Sequence, residues 1–417
     1  MLDRSDCARP RVLYCTDTYP PQVNGVSIVT ALSIAGLRAR GWECAIVAPQ
    51  YPSTLPRGAA NPVLLDEATV SVPSVAFPPY PDIRLAAPSY GTVTRAVRRF
   101  VPDIVHSATE FMIGRLGQIA AARAGIVQLS SYHTDFSRYT TAYGVPWMRG
   151  TVSRYIARFH RRSARVYTPS APARNDLRLL GVEDVEVWGR GVNTAAFAPD
   201  RRSDALRAAY GLGNTVIFLH VGRLAAEKNV EVIVRAFAQA RAALPAGAAR
   251  LIIAGAGPEE ETLRALAGPD VLFLGVLDRQ RSLPRLYASA DAFLFSSLTE
   301  TLGLVVLEAM ASGVPVIATP AGGVADHLRD DVNGIAVPPS DVDKMAAAIV
   351  ALTLDAQRRT RLAEGARATA LQLDWESELD RLDASYRSVL ERASHSSRRP
   401  SRAPDIFEEP LTRSASI

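Results

Sequence analysis

Apolar residues along this chain come in short runs, separated by glycine-rich or polar turns and by longer stretches with helical spacing. In the first half the runs are Arg11 to Tyr14, Cys44 to Ala48, Val70 to Val75, Ile104 to Ser107, Val127 to Tyr132 and Tyr167 to Ser170. In the second half they are Val216 to Val221, Leu251 to Gly257, Val271 to Val276, Ala292 to Phe295, Val314 to Ala318 and Gly334 to Val337. The shortest are apolar throughout rather than alternating, the pattern of strands buried on both faces of a parallel sheet. The stretches between them predict crossover helices, among them Ser27 to Arg40 closed by Gly41 and one ending near Ala243. Others are opened by Pro258, run from Leu304 to Ala311, or cover DKMAAAIVAL. Strand and helix alternating in this way give an α/β fold, and the opening strand, glycine-bearing loop and helix read as a Rossmann-like unit. A second such unit opens at Val216.

The segment Val187 to Pro199 (VWGRGVNTAAFAP), glycine-rich and ended by proline, is the natural link between the units and divides the chain into residues 1–190 and 191–374. A last helix over residues 375–393 follows, and the polar tail 394–417 has the composition of a disordered segment. A length of 417 residues with 48% hydrophobic residues is enough for two domains with real cores. Cys7, Cys15 and Cys44 are too few and too early to form a disulfide framework, which points to a reducing cytosol. The polar N-terminus MLDRSDCARP lacks a signal-peptide core, and the longest apolar stretch, Leu302 to Ala325, is broken by Glu308, Pro315 and glycines.

The formal charge of +5, carried by arginine far more than lysine, permits an anionic partner without identifying one. Two helices concentrate it. Ala86 to Phe100 places Val93, Val97 and Phe100 on one face and Arg95, Arg98 and Arg99 on the other. Trp147 to Arg165 carries Arg149, Arg154, Arg158, Arg161, Arg162 and Arg165. Either suits an anionic membrane surface or an ordinary solvated face.

The candidate chemistry gathers in loops after strands. Glu308 is the lone charge of the apolar helix Leu304 to Ala311, where an ionised carboxylate needs a polar partner. Glu300 stands in the loop that opens this helix, and the N–H groups of Leu302, Gly303 and Leu304 lie at its positive end, suited to phosphate or hydroxyl oxygens. In GRLAAEKNV, after the strand Val216 to Val221, Gly222 is followed by Arg223 and Lys228, which bracket a helix start as a pyrophosphate requires. His133 follows an apolar strand at its C-terminal end, where open α/β sheets place ligand-binding residues. Gly25 lies in the first loop, DTYPPQVNGV, beside Asn24. The other histidines show no metal spacing, and the Asp-x-Asp ending at Asp343 reads as a helix cap rather than a metal site. No G-x-G-x-x-G follows either opening strand, which argues against a dehydrogenase.

Glu300 and Glu308 with EAMASGVPVIAT after them, together with PQVNGV, HTDFSRY and WGRGVN, resemble the E-x7-E signature of retaining nucleotide-sugar glycosyltransferases of family 4, in particular bacterial GDP-mannose-dependent α-mannosyltransferases. The resemblance implies a GT-B fold, two facing Rossmann-like domains with the last helix crossing back to the first. It implies that Arg223 and Lys228 bind the donor diphosphate, that Gly25 reaches it across the cleft, and that His133 and Glu300 orient the sugar. It further implies that Glu308 holds the ribose and that Val276 and Leu277 lie beside the base. The expected reaction needs no cofactor. It moves a hexose from GDP-mannose, or from a UDP-sugar in a related branch, to a lipid or glycan acceptor at the inner membrane face, without nucleic acid. A nucleotide-sugar-binding protein without turnover is the alternative outside enzymology.

Overall fold

In the computed structural model the described residues are 9–22, 24–51, 70–77, 80–87, 89–133, 144–189, 191–213 and 215–398. Cys7, most of the loop after His133 and the tail beyond residue 398 lie outside them.

Two parallel sheets carry the chain. The first joins β1 (Arg11–Cys15), β2 (Glu43–Pro49), β3 (Val70–Val72), β6 (Ile104–Ser107), β7 (Val127–Ser131), β8 (Arg165–Thr168) and β9 (Val185–Val187). Their order, β3-β2-β1-β6-β7-β8-β9, reverses direction between β1 and β6. The second joins β10 (Val216–Val221), β11 (Ala249–Ala254), β12 (Val271–Gly275), β13 (Ala292–Phe295), β14 (Val316–Ala318) and β15 (Gly334–Ala336) in the order β12-β11-β10-β13-β14-β15. Its reversal falls between β10 and β13. Such switch points open a crevice beyond the C-terminal ends of the strands, and both sheets place their expected site loops there.

Helix boundaries follow local capping chemistry. The first helix, α1 (Gly25–Ala39), starts two residues earlier than Ser27 because Asn24 takes the cap, accepting the Ser27 N–H at 2.8 Å. The strand read over Val70 to Val75 is two strands: Pro73 has no N–H to continue the ladder, and β4 (Ser74–Phe77) pairs antiparallel with β5 (Tyr80–Ala86) instead. Ala86 therefore ends a strand, and α2 (Tyr90–Phe100) begins only after Ser89 caps it. Next come α3 (Met112–Ala124) and α4 (Arg149–His160). The second basic helix is thus shorter than the sequence pattern indicates. Trp147 lies in a 3-10 turn, and Arg165 lies in β8, ion-paired with Asp184 and Glu186 at 3.0 Å each. Ser170, expected to end a strand, caps α5 (Ala171–Leu179).

In the second half come α6 (Asp204–Ala209), α7 (Val230–Ala242), α8 (Glu260–Leu266), α9 (Ser282–Ser289), α10 (Leu304–Ala311), α11 (Val342–Leu354) and α12 (Ala356–Leu371). The glycines of LIIAGAG are set by close packing. Gly255, at φ +143°, lies so near the loop after β10 that a Cβ there would stand 1.8 Å from the Gly222 carbonyl oxygen.

The last helix, α13 (Trp375–Arg398), runs back to the first sheet and extends past the expected end at Ala393. Its Leu379, Leu382, Tyr386 and Val389 join Val29, Ile34 and Leu37 of α1 and Val12 and Tyr14 of β1 in one buried cluster. The chain therefore passes between the sheets twice. At the crossing Trp188 stacks on Trp375 with ring centres 6.0 Å apart, and Val192 donates its N–H to the Leu373 carbonyl at 3.0 Å. A Cβ on Gly191 would stand 2.0 Å from the Trp375 ring, so the crossing requires glycine.

Candidate active site

The loops after β10 and β13 flank the reversal of the second sheet. After β10 the chain makes a 3-10 turn over Ala226–Lys228, and Asn229 adopts a left-handed conformation before α7 begins at Val230. Arg223 and Lys228 thus both precede the helix rather than bracket its start. From there the Lys228 Nζ reaches across to the Glu300 carboxylate in the loop after β13. Arg223 pairs with Glu227, whose side chain is fully buried beneath it. Both expected phosphate cations are therefore held in place by carboxylates. Burial alone would raise the Glu300 carboxyl, but Lys228 outweighs it and holds the group below the usual glutamate range.

Gly303, at φ +77°, opens α10 without a side-chain cap, and Leu304 is the first helical residue. The first N–H groups of a helix have no intrahelical acceptor, so this end remains open to an anion or hydroxyl. Leu302 is buried beside Gly303, and the loop is fixed from behind where Gly323 donates its N–H to the Glu300 carbonyl at 2.7 Å.

Glu308, one turn further along α10, is fully buried. Its Oε1 accepts from the Arg279 guanidinium, a partner supplied by the loop after β12. Burial nevertheless pushes the Glu308 carboxyl upward, with Arg279 opposing it. Val276 and Leu277, expected beside a base, diverge: Val276 is 65% exposed, whereas Leu277 packs its side chain against the core.

The first domain meets this site through His133, which stands half-buried after β7; its carbonyl accepts from the Thr301 hydroxyl. Nearby, the Ala171 N–H at the start of α5 donates to Asp326 Oδ2 of the second domain at 2.9 Å. Between these contacts lies a narrow cleft lined by Tyr132, Ser170, Asp176, Thr299, Glu300 and Thr301 among others. Burial, reinforced by nearby His160, pushes the His133 imidazole down to about 4, so it is neutral near pH 7. Gly25 lies at the start of α1, and a Cβ there would meet nothing within 4 Å. Its surroundings are open, so internal packing does not explain the residue.

Other candidates have structural places. His106 bonds Ser131 at 2.7 Å, His160 bonds Ser130 at 2.9 Å, and His220 bonds the Leu294 carbonyl at 3.1 Å. Asp341 caps α11 by accepting the Lys344 N–H at 2.8 Å, which accounts for the Asp-x-Asp. Among the described residues no group of three or more His, Cys, Asp or Glu could hold a metal ion. Reading the sequence missed Arg279, Glu227 and Thr301. The signal for Arg279 was the lone charge of Glu308, which required a cation somewhere, but nothing local said where.

Two facing Rossmann-like domains, with cations and carboxylates at the switch point of the second, define the GT-B class of glycosyltransferases. Comparison with known proteins agrees. The family profile described as "Glycosyl transferases group 1" matches residues 215–355, and that described as "Glycosyltransferase Family 4" matches residues 23–196. The chain is 33% identical over 383 residues to the GDP-mannose-dependent alpha-mannosyltransferase of Mycobacterium tuberculosis, covering 92% of this chain and 97% of that one. It is 32% identical over 308 residues to a sulfoquinovosyl transferase of Arabidopsis thaliana, covering 72% of this chain and 59% of that one. The solved structure of Anabaena HepE in complex with UDP and glucose superposes with a TM-score of 0.72 at 20% identity, covering 91% of this chain and 100% of that one. The chain belongs to glycosyltransferase family 4, and it is a hexosyltransferase.

Proposed function

We propose that the protein is a retaining, metal-independent α-mannosyltransferase that moves mannose from GDP-mannose to a hydroxyl of a lipid-linked or glycan acceptor. On this reading residues 191–374 hold the donor and residues 1–190 the acceptor. The observation that carries the donor choice is the likeness to the mycobacterial mannosyltransferase over nearly the whole of both chains. Negative charge builds on the leaving diphosphate while the sugar becomes oxocarbenium-like, so preorganised positive groups at the phosphate lower the barrier. Arg223, Lys228 and the N-terminus of α10 supply them, and Gly25 approaches the phosphates from the opposite domain. Glu300 and neutral His133 orient the sugar, Glu308 accepts from the ribose hydroxyls, and backbone at Val276 and Leu277 borders the base. On this reading the acceptor attacks from the leaving-group side, and the departing phosphate takes its proton. The site is expected to bind GDP tighter than UDP. UDP binding ten times tighter than GDP, about 1.4 kcal/mol, would overturn the donor and favour the UDP-sugar reading that the sulfoquinovosyl transferase likeness supports.

The acceptor reading includes peripheral attachment at the cytoplasmic membrane face. No helix of the described residues is long and apolar enough to cross a membrane. The charge distribution supports attachment at a surface: α2, α3 and α4 contain no acidic residue, and Arg95, Arg98, Arg99, Arg154 and Arg158 are exposed along them. Arg161 contributes less, since it donates to the Gly181 carbonyl at 3.0 Å. Co-sedimentation should strengthen with anionic lipid and weaken as salt rises. Equally poor binding to neutral and anionic vesicles at low salt would favour a soluble acceptor.

A further inference from the structure

Glu308 is a charged group with half of its hydrogen bonding supplied. Its side chain is fully buried among Val306, Leu307, Ala309 and Met310. Oε1 is met by Arg279, but Oε2 has no hydrogen-bond partner. Tyr287 of α9 faces the same carboxyl and helps to lower it, but its hydroxyl stands outside close hydrogen-bond geometry, so Oε2 keeps room for a further donor. Arg367, on the helix packed against α10, turns away to the carbonyls of Thr194, Phe197 and Ala311. The cation that compensates Glu308 is thus Arg279, whose guanidinium also lies over the Phe197 ring at 5.5 Å from its centre.

The loop carrying Arg279 is stiffened locally. Asp278 Oδ1 accepts the N–H groups of Gln280 at 3.0 Å and Arg281 at 2.6 Å, and the Asp278 carbonyl accepts from Leu283 at the start of α9 at 2.9 Å. An arginine on such a turn loses little freedom when it reaches inward. A buried carboxylate with one oxygen bare is costly unless something else donates to it, and an ionised carboxyl has capacity for about four hydrogen bonds.

We propose that Arg279 is a positioning residue for the nucleotide: it anchors Oε1 of Glu308 and keeps the carboxylate ionised, leaving Oε2 to accept the ribose hydroxyls of a nucleoside diphosphate. The proposal rests on the reading of Glu308 as the ribose acceptor. Without Arg279, burial moves the carboxyl further up. A protonated carboxyl has lost acceptor capacity, so affinity falls as pH falls through its pKa, and removing Arg279 brings that loss to higher pH.

The test measures GDP and UDP affinity by titration from pH 5.5 to 8.5 in the wild type, Arg279→Ala, Arg279→Lys and Glu308→Gln, with the 2′,3′-dideoxy nucleoside diphosphates as probes lacking the hydroxyls. Arg279→Ala should weaken ribonucleotide binding at least tenfold at pH 6 and distinctly less at pH 8.5. Arg279→Lys should recover most of it, and the dideoxy probes should bind the wild type and Arg279→Ala alike. An unchanged pH profile in Arg279→Ala overturns the proposal when Glu308→Gln still weakens ribonucleotide binding. If Glu308→Gln also binds as the wild type does, the ribose assignment itself is wrong. Equal weakening of ribo and dideoxy probes in folded Arg279→Ala would reduce Arg279 to a structural role and overturn the proposal as well.

Discussion

Lys228 donates from Nζ to the Glu300 carboxylate, and this contact joins the two loops on either side of the point where the second sheet reverses its strand order. The pair is largely buried, with side-chain exposures of 18% and 19%, so each group fixes the other. On the proposed mechanism Lys228 serves the leaving phosphate and Glu300 the sugar.

Lys228→Ala should therefore lower kcat/KM at least about tenfold while leaving the fold intact by circular dichroism, since losing a hydrogen bond to a charged group costs roughly 1.5–3 kcal/mol. Glu308→Ala should lose a comparable factor. Wild-type release of nucleoside diphosphate by folded Lys228→Ala would remove this lysine from the phosphate site.

Turnover should survive chelation. Asp341 is engaged as the cap of α11, and on the proposed mechanism Arg223 and Lys228 take the place of a divalent ion at the diphosphate. The check is activity after EDTA treatment; loss of turnover restored by magnesium or manganese would contradict the mechanism.

Acid should destabilise the protein partly through its buried histidines. Burial pushes His106 down to about 3 and His220 to about 4, from an ordinary 6.5. The unfolded chain then takes up protons that the folded chain refuses. Stability from these groups is complete above about pH 6.5 and falls as pH drops toward 4, by up to about 1.4 kcal/mol per pH unit for each histidine. Chemical denaturation at stepped pH should show this slope, and His220→Gln should flatten it by about one proton.

The crossing helix should be held by its polar groups as well as its leucines. The Tyr386 hydroxyl bonds Tyr14 at 2.8 Å and also meets His106 Nδ1, all within the buried face of the first sheet. Tyr386→Phe strips both of a partner and should cost about 1–3 kcal/mol, read as a lower Tm at constant heating rate. An unchanged Tm would mean that the apolar contacts of Leu379 and Leu382 hold α13 unaided.

Much of this architecture was legible in residue order because it depends on local pattern. Ala292–Phe295, Ile104–Ser107 and Val216–Val221 are strands over the bounds their apolar runs suggest, and Leu304–Ala311 is a helix from end to end. The mistaken boundaries also have local causes: Pro73 divides one strand, Asn24 and Ser89 reset two helix starts, and Arg165 moves from a helix into β8. Arginine alone does not distinguish a solvated helix position from a strand edge flanked by two carboxylates.

Residue order alone thus accounts for the succession of strands and helices, the loops that carry chemistry, and the presence of Glu308 as a charge in apolar surroundings. Which groups meet depends on the folded arrangement. Lys228 finds Glu300 because β10 and β13 are neighbours in a sheet whose order is not chain order. Arg279 finds Glu308 because the loop after β12 passes over α10, and Thr301 finds His133 because two domains close on one cleft. Strand and helix formation follow from propensity and periodicity within a few turns of chain, whereas such pairings depend on sheet order and domain docking, where residues far apart in sequence share one low-dielectric site.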